Sequence, residues 1–251
     1  MELRKTTVKL CGIKRAEDVR LCIQAGVDVL GFVTEYPLEV PWNLTREGAS
    51  DLLRTAGELL QGADIAGTPS FSERSARVWD VKTCLVTGGS VRKVVSLAAS
   101  LRPSLIQLHY RETWPDTREI VRELRPMGIQ VIKTLPTDSG ERVEQFGTAC
   151  VEDVVKKLCE LELYGILVDA RTPKNAGEGG IRADVDFFRL VSEKSAVPVI
   201  LAGGINPDNI RTVLAQSQAR FVDVMTGVED SPGVKNPDAV ARLLAAVRGG
   251  G

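Results

Sequence analysis

Residues 198–207 read PVILAGGINP. A short run rich in Val, Ile and Leu makes a buried strand, and Gly203-Gly204 ends it. Asn206-Pro207 then sets a capping side chain before a proline, which a helix accepts in its first turn. This is one strand–turn–helix unit of a parallel sheet. Similar strand-like runs recur at Thr7–Cys11, Asp28–Val33, Thr83–Thr87, Leu105–His109, Gln130–Leu135, Gly165–Asp169, Pro198–Ala202 and Phe221–Met225. Each precedes a stretch with helical spacing of apolar residues, near Ala16–Ala25, Thr45–Leu60, Ser90–Leu101, Trp114–Leu124, Cys150–Leu161, Ala183–Ser192, Pro207–Ala215 and Pro237–Val247. Asn236-Pro237 repeats the capping signal.

Eight such units in 251 residues, with no Pro- or Ser-rich linker between halves, predict an α/β fold in which residues 1–251 form a single-domain (βα)8 TIM barrel. Two segments exceed the repeat. Residues 61–80 read as an insertion in an αβ connection, on the face away from chemistry, whereas the polar stretch Pro136–Gly147 follows the fifth strand and borders the chemical face.

Composition narrows the function. Lys and Arg number 32 against 33 Asp and Glu, a net charge of −1, and aromatics are 5%, which disfavours a nucleic-acid partner. Apolar runs such as Val197–Ala202 fall far short of the ~20 residues a membrane helix needs. Met1–Leu10 carries four charged residues and no signal-peptide core, so no membrane partner and a cytoplasmic location are expected. Cys11, Cys22, Cys84, Cys150 and Cys159 are widely spaced and His109 stands alone, a pattern that fits neither a zinc site nor a disulfide framework.

In such barrels chemistry sits where strands end. Cys11-Gly12 closes the first strand; the bland alternative is a buried small hydrophobe, but a thiol at a barrel mouth can be held as a reactive thiolate. Asp169 ends an apolar strand, where a carboxylate is costly unless paired or hydrated; otherwise it caps its own loop. Glycines follow the last three strands, including Gly179 and Gly180, then Gly203 and Gly204, then Gly227 beside Thr226. Together they occupy the position where backbone N–H groups bind phosphate, so a small phosphorylated molecule is the expected ligand. His109 reads as structural or one step removed from the ligand. Asp223 alternates with Val222 and Val224 and is a candidate to point into the barrel.

These residues resemble a known family. Val8-Lys9-Leu10-Cys11-Gly12-Ile13, Gly26 through Phe32, Ile106-Gln107-Leu108-His109, Val199 through Pro207 and Gly227 through Lys235 are similar, in order, to the motifs of phosphoribosylanthranilate isomerases. The resemblance implies a cofactor-free, metal-free (βα)8 barrel in tryptophan biosynthesis. Its activity would be the Amadori rearrangement of N-(5′-phosphoribosyl)anthranilate to an open-chain 1-deoxyribulose phosphate. It further implies Asp169 as general acid and Cys11 as general base, with the phosphate on Gly203, Gly204, Thr226 and Gly227. For those roles Asp169 must be raised and Cys11 lowered toward thiolate.

Three positions depart from the family pattern. Val40-Pro41-Trp42-Asn43 stands where the family carries an arginine that pairs with the anthranilate carboxylate, leaving Trp42 to stack on the ring and Arg46, Arg171 or Arg182 as replacement cations. Met225-Thr226 replaces two serines, and Tyr110 replaces a small residue after His109. The alternatives are therefore an isomerase for another phosphoribosylated amine and a non-catalytic sugar-phosphate-binding barrel. A homodimer is left open.

Overall fold

The computed structural model describes residues 6–61, 81–169 and 183–249. Nearly all of the expected insertion at 61–80, and Gly179, Gly180, Arg171 and Arg182, lie outside the described residues. Eight parallel strands close into a barrel in chain order: β1 (Thr7–Leu10), β2 (Val29–Val33), β3 (Lys82–Thr87), β4 (Leu105–Leu108), β5 (Gln130–Pro136), β6 (Gly165–Asp169), β7 (Val199–Ala202) and β8 (Phe221–Val224). Each agrees with the expected strand to within one residue at either end. Around them lie α1 (Ala16–Ala25), α2 (Arg46–Leu60), α3 (Val91–Leu101), α4 (Trp114–Leu124), α5 (Ser139–Phe146), α6 (Val151–Cys159), α7 (Val185–Lys194), α8 (Ile210–Ser217) and α9 (Pro237–Arg248). Among the described residues no helix is long and apolar enough to cross a membrane.

The period of two along each strand divides the apolar residues between two cores. Outward residues such as Val8, Leu10, Phe32, Leu85, Ile106, Ile166, Val168 and Val222 pack on the helices through Val19, Leu52, Val94, Ile120, Val155 and Leu243. Inward residues Val29, Cys84, Leu105, Ile132, Leu167, Ile200 and Phe221 fill the barrel. The same inward phase brings Cys11, His109, Asp169 and Asp223 to its mouth, at the C-terminal ends of the strands. The barrel closes between β1 and β8, where Lys9 lies opposite Asp223 and Leu10 opposite Val224.

Three local features depart from the expected elements or add to them. The polar stretch after β5 contains α5, capped by Asp138, whose side chain accepts from Glu141 N at 2.9 Å, and ended by Gly147 at φ +75°. Its buried face consists of Glu141, Arg142, Gln145 and Phe146, so polar bonds take the place of an apolar stripe. Secondly, α8 begins at Ile210. Asn206 accepts from the amides of Asp208 and Asn209 and so caps an intervening turn. Thirdly, β9 (Glu229–Ser231) and β10 (Val234–Lys235) form a small antiparallel hairpin after β8. Asn236 caps α9 as expected, accepting from Ala239 N at 2.7 Å.

One buried carboxylate ties the loops after β3 and β4 to strand β5 at the mouth. Glu112 accepts from Gly89 N at 3.0 Å, Tyr110 N at 3.3 Å and Lys133 Nζ at 3.1 Å, and Lys133 also reaches Gln145 of α5 at 3.0 Å. Both charged side chains are fully buried. Glu112→Ala, which strands the Lys133 ammonium, should therefore cost about 3–5 kcal/mol in urea unfolding at pH 7. The pair Glu112→Leu with Lys133→Met should recover most of that; an equal loss in single and double variants would contradict the assignment.

Candidate active site

The pocket at the barrel mouth is built mainly from residues that end strands. Cys11 follows β1, and Gly12 turns the chain at φ +76°. A Cβ on Gly12 would lie 2.7 Å from Trp42 Cδ1 and 3.0 Å from Met225 Cγ, so only glycine lets these two side chains close over the first loop. Trp42 is nearly fully buried and lines the pocket. It sits on a loop that folds back along β2: Leu44 N bonds Val33 O at 2.9 Å, and Asn43 clamps Tyr36 N and O. Its indole N–H donates to the Glu229 carboxylate at 3.0 Å. Glu229 also pairs with Lys235 at 2.6 Å, and Lys235 donates to the carbonyl oxygens of Cys11 and Met225. The hairpin thus fixes both the tryptophan wall and the backbone of Cys11.

Arg46 does not serve the pocket. Its guanidinium forks onto Glu35, at 3.0 and 3.2 Å. Tyr110 packs edge-on to Tyr36, whose hydroxyl donates to His109 O at 2.8 Å.

Asp169 ends β6 within the same pocket as Cys11. His109 Nε2 lies 3.9 Å from Asp169 Oδ2, while its Nδ1 contacts Thr134 Oγ1 at 2.9 Å and Gln107 Nε2 at 3.0 Å. The Gln107 amide, as a donor, makes Nδ1 an acceptor and leaves the proton on Nε2, facing Asp169. Burial lowers the His109 pKa to about 4, so the ring is neutral near pH 7.

The Cys11 thiol differs from expectation. Burial raises its pKa, Lys9 opposes that rise, and the net shift is upward, so the thiol holds its proton more firmly than in water. Directly below, Lys9 is fully buried and its Nζ meets Asp223 Oδ2 at 2.7 Å. Asp223 points inward as expected. Lys9 was missed by the sequence reading, although it stands two residues before Cys11 and so shares its phase.

The glycine loops follow β7 and β8, next to β1 in the closed barrel. Gly203 and Gly204 line the pocket at φ +96° and +59°, braced by Asn209 Nδ2 on Gly204 O at 2.8 Å. Thr226 and Gly227 open a short 3₁₀ turn, Thr226–Val228. A Cβ on Gly227 would fall 1.9 Å from Ile205 O, so this glycine lets the loops after β7 and β8 touch. Among the described residues no group of three or more His, Cys, Asp or Glu could hold a metal ion.

Comparison with known proteins meets this geometry. Residues 85–246 match the family model of N-(5′phosphoribosyl)anthranilate (PRA) isomerase. The N-(5′-phosphoribosyl)anthranilate isomerase of Methanopyrus kandleri is 31% identical over 248 residues, covering 96% of this chain and 98% of its own.

The chain belongs to the PRA isomerase family.

The enzyme of that name from Nitrobacter winogradskyi is 30% identical, covering 96% of this chain and 92% of its own. Among solved structures, the Thermus thermophilus PRA isomerase superposes with a TM-score of 0.70 at 25% identity, covering 97% of this chain and 98% of that one. Membership decides for an isomerase over a barrel that only binds sugar phosphate.

The shift at His109 has a consequence for stability. In the unfolded chain a histidine takes a proton near pH 6.5, but the folded one resists until about pH 4, so between these values the unfolded state binds more protons. Stability therefore falls as pH drops through that window, by on the order of 2 kcal/mol from this group. Thermal melts at pH 7 and 4.5 should show a smaller loss for His109→Gln than for the parent; an equal loss would contradict a buried neutral imidazole.

Proposed function

We propose that this chain isomerises N-(5′-phosphoribosyl)anthranilate to 1-(2-carboxyphenylamino)-1-deoxyribulose 5-phosphate, with Asp169 as acid and Cys11 as base. The observation that carries the assignment of roles is their placement on one pocket, after β6 and β1, with Gly203 and Gly204 lining it beside them.

Asp169 donates a proton to the furanose ring oxygen. The C1′–O bond breaks as the anilinic nitrogen lone pair forms C1′=N, leaving a cationic imine. The Cys11 thiolate then removes the C2′ proton, and those electrons form C1′=C2′ and return the positive charge to nitrogen as a neutral amine. The resulting enol loses its hydroxyl proton while C1′ gains one, giving the ketone; substrate and product are isomers and no electrons enter or leave. Backbone N–H groups around Gly203, Gly204 and Gly227, with Thr226, take the phosphate without an overall positive field. Trp42, its N–H committed to Glu229, offers a fixed face for the aromatic ring.

Loss of either group should be severe. With the substrate generated in place and its fluorescence decay followed, Cys11→Ala and Asp169→Asn should each fall by at least ~10²-fold. Full activity in either variant would remove that residue from its role. Because the free thiol sits above its ordinary value, thiolate is the minor form at pH 7, and the rate of Cys11 alkylation by iodoacetamide should climb toward the alkaline range by about tenfold per pH unit until the thiol titrates. An alkylation rate flat from pH 6.5 to 9 would contradict a thiol held above its ordinary value.

A further inference from the structure

Burying an ammonium inside a barrel is costly unless something uses it. Lys9 is fully buried and pairs with Asp223, which faces it directly across the β1–β8 seam. The Asp223 carboxylate is itself only 8% exposed, and among the described residues its second oxygen, Oδ1, has no hydrogen-bond partner. A lysine ammonium has three N–H donors, and Asp223 takes one of them.

The Cys11 sulfur sits beside that ammonium. A Cβ placed on Gly31 of β2 would be 3.0 Å from Cys11 Sγ and 3.1 Å from Lys9 Cε, so the thiol and the end of the lysine stem crowd the same point. The groups acting on Cys11 come from three sides. Lys9 on β1 and Lys235 on β10 favour its thiolate, and Asp223 on β8 opposes it. Lys235 is already matched by Glu229 at 2.6 Å, and its contact is with the Cys11 carbonyl, not the sulfur. Cys84 on β3 also faces Lys9, and its thiol is pushed up to about 12, so it stays neutral. Lys9 is thus the cation placed to answer a charge on sulfur.

We infer that Lys9, clamped by Asp223, is the positioning residue that makes the Cys11 thiolate attainable: its ammonium turns spare donors toward sulfur as the proton leaves. The inference rests on Cys11 being the base. With the ammonium present the charge created on sulfur is shared over a cation and one carboxylate; without it the thiolate would face Asp223 with only Lys235, already matched by Glu229, to offset it. The pair is thereby also a brake, because Asp223 limits how far Lys9 can favour the thiolate at rest.

The test reads the thiol directly. Iodoacetamide alkylation of the intact protein is followed at the Cys11 peptide by mass spectrometry from pH 6 to 10.5, since Cys150 and Cys159 will also react. Lys9→Met should move the inflection upward by at least about one unit, cutting Cys11 alkylation at pH 8 about tenfold. Asp223→Asn, which removes the opposing charge, should move it downward. Turnover of Lys9→Met should be lost most at neutral pH and regained in part at pH 9.5 and above, whereas general damage would lower every point equally and leave the inflection in place. An unmoved inflection in Lys9→Met overturns the proposal, as does an upward shift in Asp223→Asn; the second variant decides alone if the first does not fold. Cys11→Ala separates the two claims: if it keeps its turnover, the base assignment fails, while the alkylation inflections still report on Lys9.

Discussion

A lysine ammonium and an aspartate carboxylate, 2.7 Å apart inside the barrel wall, govern both closure and chemistry in this protein. Lys9 and Asp223 face one another across the seam where the last strand returns to the first, so their pairing fixes the register on which closure depends. A shift of β1 by one residue would turn Lys9 outward, away from Asp223, and carry Cys11 out of the mouth with it. The pair is a poor source of net stability, since desolvation offsets much of its attraction. Its value lies in placement: it sets a fixed cation under a thiol that burial would otherwise hold firmly protonated.

Above that pair the site depends on polar struts more than on its helices. Glu229 holds the Trp42 indole and the Lys235 ammonium, and Lys235 in turn holds the backbone of Cys11, so the tryptophan wall and the proposed base share one support. Across the mouth, Glu112 gathers the loops after β3 and β4 and reaches β5 and α5 through Lys133. His109 stands between that scaffold and Asp169, neutral and turned by Gln107 and Thr134. Preorganisation of this kind suits a reaction whose demands are one proton given and one taken at neighbouring atoms.

The barrel was legible because its signal is repetitive: each β-branched run has a helix behind it, and the repetition suppresses errors at any single unit. The placement of Cys11, Asp169 and Gly203-Gly204 at the mouth was legible because strand ends are special in this fold. Helix α5 was not, since its buried face is Glu141, Arg142 and Gln145, which an apolar periodicity cannot register. Nor was the support of Trp42 by Glu229, because the two lie 187 residues apart and neither carries a local mark of the other. Lys9 is an intermediate case. Its phase was readable from Val8-Lys9-Leu10-Cys11, but a lysine in a strand is ordinarily solvent-facing, and only the closed barrel shows that it is not. The fall of Cys11 toward thiolate, expected from its role, runs opposite to the effect of its burial.

In the proposed reaction one phosphoribosyl substrate spans this mouth, with its sugar carbons between Cys11 and Asp169. The most direct measurement is a crystal structure of the protein soaked with reduced 1-(o-carboxyphenylamino)-1-deoxyribulose 5-phosphate. The phosphate is expected within hydrogen-bonding distance of the Gly204 and Gly227 amides, the second sugar carbon beside Cys11 Sγ, and the ring oxygen's counterpart beside Asp169. A phosphate bound at another end of the pocket, or a sugar chain that touches only one of the two residues, would contradict it.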